Sequence, residues 1–181
     1  MKGMKFLGFA AMVFCWTLFA SVDSDSDIIY WDGVERLSWS DFEATPRMDI
    51  EEIFALTSSG IIDYKGCENG IINYKFRAYF EKDESWVKQE AHTDYHLAHE
   101  QLHFDITELY ARKLRKLLSE LEFKCGEEER FESFVAATLE NWYNEQRNYD
   151  IMTRHSLNKE MQREWHYRIK MELSLLDNFA E

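Results

Sequence analysis

The chain has 181 residues, 45% hydrophobic and 30% charged, with 34 acidic and 21 basic side chains and a formal net charge of −13. Such an excess of negative charge repels nucleic acid and anionic lipid headgroups and excludes both as partners. The acids are scattered, and one proline and seven glycines leave no linker, repeat or low-complexity tract, so the chain reads as one domain behind a leader.

That leader is residues 1–22. Lys2 and Lys5 precede an apolar run from Phe6 to Ala20, small residues follow at Ala20 and Ser21, and an acidic stretch begins at Asp23. This is the layout of a secretory signal peptide, and the run is too short for a membrane span. Cleavage predicts a secreted or periplasmic protein that is not integral to a membrane, with a single domain over 23–181. Its net charge falls to −15, because two basic residues and no acids are lost. Two cysteines survive processing, Cys67 and Cys125, and they are open to two readings: a disulfide, as export allows, or two buried thiols. Neither lies in a C-x-x-C, so a cysteine-type zinc site is not supported.

Residues 28–46 hold short extended pieces, with Trp31 and Trp39 as core anchors. Two stretches rich in β-branched and aromatic residues follow, Ile53 to Tyr64 and Gly70 to Phe80, with Asn69-Gly70 as a hairpin signal between them. Helical patterns then take over. The first helix is predicted from Lys88 to Leu121, with Ala98, Leu102, Ile106, Leu109 and Leu117 on its buried stripe. After Gly126 a second runs from Glu127 to Tyr149 on an inner face of Phe131, Phe134, Val135, Leu139 and Trp142. A third starts at Asn158, a helix cap, and carries Met161, Trp165, Ile169, Leu173 and Leu176. Strands followed by helices predict an α+β fold: a small N-terminal antiparallel sheet, then a helical half, zincin-like in layout.

The first helix carries His99-Glu100-Gln101-Leu102-His103, an H-E-x-x-H. Side chains four apart share a helix face, so both imidazoles can grip one Zn²⁺ at roughly 2.0–2.1 Å, while Glu100 stands beside it as general base. A catalytic zinc needs a third protein ligand. The extended motif with a local third histidine is excluded, because Ile106 and Leu109 occupy its glycine and histidine positions. His155, between the second and third helices, is the first candidate. Glu145 is the second. Asp150 is the third, as ligand or as the acceptor that fixes a histidine's tautomer. Asp105 and Glu108 point away from the histidine face, although Asp105 can reach a ligand's outer shell. His92 and His96 extend the histidine row but read as exposed, and His166 reads as a surface residue. Tyr149 and Arg154 are candidates to stabilise an oxyanion.

The stretch from His99 to Ile106, with Glu108-Leu109 and Ala111-Arg112 after it, resembles the DUF922 family, bacterial proteins of undefined function often described as predicted secreted zinc-dependent proteases. Other similar pieces are Leu37 to Phe42, Ser85-Trp86-Val87, Tyr149-Asp150, Thr153, His155, Gln162 and Trp165, spread over nearly all of the mature chain. Ser156 stands where the family usually has glycine. The resemblance implies export and a zinc site that includes His155.

Two functions compete. One is a zinc metallopeptidase acting on a peptide or protein substrate through a metal-activated water. The other is a non-catalytic zinc-binding protein of the cell envelope. A carboxylate-bridged di-iron protein is disfavoured, because Glu100-x-x-His103 has no second copy in the chain.

Overall fold

In the computed structural model residues 27–181 are described, and the expected signal segment lies outside them. Five strands precede three helices: β1 (Ile28–Tyr30), β2 (Ala55–Leu56), β3 (Ser59–Glu68), β4 (Ile71–Glu81), β5 (Trp86–Val87), α1 (Asp94–Ser119), α2 (Glu128–Thr153) and α3 (Lys159–Leu175). The α+β layout read from the sequence holds. No helix among the described residues is long and apolar enough to cross a membrane.

The main sheet is antiparallel in the order β1-β4-β3, and β2 pairs only with β5. The β3–β4 hairpin closes at Asn69-Gly70, both at positive φ (54° and 82°), as a two-residue turn of matching twist requires. The turn is tied to the α1–α2 connection by a Cys67–Cys125 disulfide, which decides between the two readings of those cysteines. Pairing of Ile71 with Lys124 continues the sheet into that connection.

Helix α1 lies between the sheet and the pair α2/α3, so it is buried on both sides. Ala78, Phe80, Phe104 and Ala111 join it to the sheet, Leu102, Ile106, Leu109, Tyr149, Trp165 and Ile169 join it to the other helices, and Phe76, Leu114, Leu118, Phe123 and Phe131 fill the disulfide end. Trp31 and Trp39 pack half-buried against the first of these clusters.

The helix ends differ from expectation for local reasons. Thr93 is extended and its Oγ1 accepts from the His96 N–H, so α1 starts at Asp94; the Lys88 to His92 stretch forms only a short 3₁₀ turn. Helix α2 runs one turn past Tyr149, to a left-handed cap at Arg154. Asn158 caps α3 as predicted, accepting from the Met161 N–H.

Candidate metal centre

Helix α1 delivers His99, Glu100 and His103 to one end of a groove of about 440 Å³. One wall is the segment 53–59, which contains β2. The other is the face of α2 that carries Trp142, Gln146 and Asp150. Because α2 packs alongside α1, residues four apart on α2 face the histidine pair, and Gln146 and Asp150 have that spacing.

The Oδ1 of Asp150 lies 3.3 Å from His99 Nε2 and 3.1 Å from His103 Nε2. These ligand atoms all fall within 4.8 Å of one another. On the outer side His155 Nδ1 stands 3.4 Å from the same oxygen. His99 and Glu100 are buried, and His103 is nearly so.

Gln146 sets the protonation of His103. Its Nε2 donates to the His103 carbonyl (2.9 Å) and to Thr107 Oγ1 (3.1 Å), which leaves Oε1 as acceptor for His103 Nδ1 at 2.7 Å. Nδ1 therefore carries a proton, and the Nε2 lone pair of a neutral His103 points at a carboxylate oxygen. Lone pair against lone pair is repulsive unless a proton or a cation sits between them. In the metal-free chain a proton takes that place. Burial disfavours the imidazolium, but the charge and hydrogen bond of Asp150 more than offset it and raise the His103 pKa to about 9. Against its own desolvation, Asp150 is held far below the usual carboxylate range by His103 and His99. The Nδ1 of His99 is buried without a partner. Two imidazoles and a carboxylate aimed at one point, one imidazole fixed in the ligating tautomer, could hold a divalent transition metal.

Thr57 Oγ1 donates to Glu100 Oε2 at 2.8 Å, so the carboxylate is held between the groove wall and the histidines.

Several expected residues fall elsewhere. Glu145, one position before Gln146, points to the opposite side of α2 and is paired with Arg168 on α3 at 2.7 Å, so it is not available as a ligand. Tyr149 is fully buried. Its ring stacks under His99 at 4.5 Å and meets His103 edge-on at 4.8 Å, and its hydroxyl faces the His99 carbonyl at 3.4 Å. It is a platform for the imidazoles rather than an oxyanion donor. Arg154 is exposed at the α2 cap and does not line the groove. Asp105 accepts from Trp31, Arg36 and Gln101, not from the metal centre.

The other histidines divide. His92 is exposed and stacked on Trp39. His96 is half-buried and lines the groove, contrary to its expected exposure. His166 is also half-buried, with an unpartnered Nε2. Sequence reading did not find Thr57 or Gln146 and ranked Asp150 third. The 146/150 spacing was the available signal for two of them; Thr57 had none.

The family model described as "Bacterial protein of unknown function (DUF922)" matches residues 78–156, which contain every residue of the centre except Thr57. No curated protein and no solved structure matches the chain.

Proposed function

We propose that this member of the DUF922 family, matched over residues 78–156, is a zinc-dependent hydrolase of peptide bonds with a zincin-like arrangement. The observation that carries this reading is the convergence of His99, His103 and Asp150 with Glu100 beside them at the end of an open groove. His99, His103 and Asp150 would hold the ion, and His155 would back Asp150 from outside.

When bound, Zn²⁺ supplies Lewis acidity, lowering the pKa of a water ligand toward ~7 and polarising a carbonyl. Glu100, held by Thr57, takes the proton from the attacking water and returns it to the leaving amine. Gln146 keeps His103 in its ligating tautomer, and Tyr149 keeps both rings from turning.

Glu100→Gln keeps shape and volume but cannot accept the proton. The expected outcome is a variant that binds one zinc as the parent does and cleaves peptides ~10²–10⁴-fold more slowly. Zinc analysis and cleavage of a broad peptide library measure the two effects. Unchanged cleavage by Glu100→Gln contradicts the proposal.

A second reading has its own support in the 3.4 Å approach of His155 to Asp150. If His155 also ligates, four protein donors close the site, and the ion is structural, as in a non-catalytic envelope protein. Cobalt substitution separates the two readings: an exchangeable water in the cobalt spectrum favours catalysis, and a four-donor spectrum insensitive to added anions favours the structural site.

A further inference from the structure

We infer that the groove binds its peptide as an added strand along the free edge of 55–59 and selects a carboxylate on that peptide through Arg147. This rests on the reading of the groove as a peptide site.

The strand edge follows from the register. Phe54 accepts from the Lys88 N–H at 2.8 Å, and Leu56 pairs with Trp86, so both turn their backbone groups toward β5. Ala55, between them, turns its N–H and C=O the other way. Ser58 accepts from the Glu81 N–H at 2.9 Å, so Ser59 is turned away from β4 in the same sense. Ala55 and Ser59 both line the groove, and among the described residues β2 and β3 are edge strands with no neighbour on that side. The side chains of Thr57 and Ser59 are tied to α1, through Glu100 and Thr107, which fixes the edge over the metal centre. An extended peptide satisfies such an edge through its own main chain, whatever its side chains.

Selectivity then falls to the opposite wall. Arg147 lines it and is exposed, and no hydrogen bond or ion pair among the described residues engages it. Three other exposed arginines in this acidic chain are matched, Arg47 with Asp49, Arg130 with Glu127 and Arg168 with Glu145, and Arg154 and Arg163, which are not, lie outside the groove lining. The acids that share the groove are already engaged, Glu100 by Thr57 and Asp150 by the histidines. Arg147 is thus the groove's one uncommitted cation among the described residues, and a guanidinium recognises a carboxylate with two parallel hydrogen bonds. Tyr143, one turn earlier on the same face, adds an exposed ring to that wall. The carboxylate can belong to an acidic side chain or to a free C-terminus.

The test measures binding, not cleavage, in the zinc-loaded full chain carrying Glu100→Gln. Fluorescence anisotropy compares labelled alternating valine–threonine peptides: one with a central glutamate and an amidated C-terminus, one without acid but with a free C-terminus, and one with neither. One carboxylate peptide is expected to bind about fivefold tighter than the neutral one, the scale of a partly exposed ion pair. Which of the two does so identifies the source of the carboxylate. Arg147→Gln is expected to erase the difference without weakening the neutral peptide, and Arg147→Glu to transfer the preference to a lysine peptide. N-methylating the peptide backbone at alternate residues is expected to abolish binding in one register only. Equal affinities for all three peptides overturn the role of Arg147, and binding indifferent to N-methylation overturns the strand edge. Failure of every peptide to bind overturns the inference as a whole, while zinc binding and library cleavage judge the hydrolase reading separately.

Discussion

Gln146 decides which nitrogen of His103 is free, although it is not itself a proposed ligand of the ion. Replacing it with leucine leaves the imidazole able to flip or to change tautomer, and zinc affinity is expected to fall about 10- to 100-fold with the fold intact. Competition against a chromogenic chelator measures this; an unchanged affinity contradicts the role given to Gln146. Ser156 is a second instructive residue. It follows Arg154 and His155 in a run of three residues at positive φ (50°, 48° and 73°) and is itself buried. Left-handed backbone favours glycine, so the serine adds strain beside His155. Ser156→Gly is expected to raise the unfolding free energy by about 1 kcal/mol in urea titration. The pair His99/His103 was legible in the sequence because one helix fixes their geometry. Asp150 ranked only third because its place depends on how α2 lies against α1, which the 146/150 spacing alone does not fix. Tyr149 was misread because nothing in its neighbourhood distinguishes a buried ring from a groove-facing one.

Helix α1 carries a second buried polar device, unrelated to the metal centre. Glu108 is almost wholly enclosed and accepts from Arg112 at 2.9 Å and from Arg115 at 3.0 Å, and these arginines reach on to Asp177 and to the carbonyls of Leu173 and Phe179. The network fastens the C-terminal turn onto the middle of α1. Removing the carboxylate takes the shared enclosed counter-ion from the buried Arg112 and the half-buried Arg115, so Glu108→Ala is expected to cost about 3 kcal/mol in denaturant unfolding. A loss under 1 kcal/mol contradicts it. Among the elements, the β3–β4 hairpin and the three helices were legible because period and turn residues agree. The boundaries were less so: Thr93 as a cap shortened α1 at one end, and the exposed apolar residues Ile151 and Met152 broke the inner-face pattern, which concealed that α2 continues to Thr153. The pairing of β2 with β5 was not legible, since two-residue strands carry no periodic signal.

At the scale of the molecule, α1 is held on both sides: by the sheet, itself stapled through the disulfide at its hairpin tip, and by α2 and α3. A rigid central helix of this kind holds the two histidines in register, and the open side between the 53–59 edge and α2 gives access to them. The α+β order was readable because composition changes sharply near Lys88; the groove was not, because it forms between segments about ninety residues apart in the chain. The central claim is that His99, His103 and Asp150 together hold one ion. Calorimetric titration of zinc into chelator-stripped protein tests it most directly, comparing the parent with Asp150→Ala and Glu145→Ala. One ion per chain in the parent, unchanged in Glu145→Ala and weakened at least ~100-fold in Asp150→Ala, is the predicted result. No stoichiometric zinc in the parent, or an Asp150→Ala variant that binds as the parent does, would contradict it.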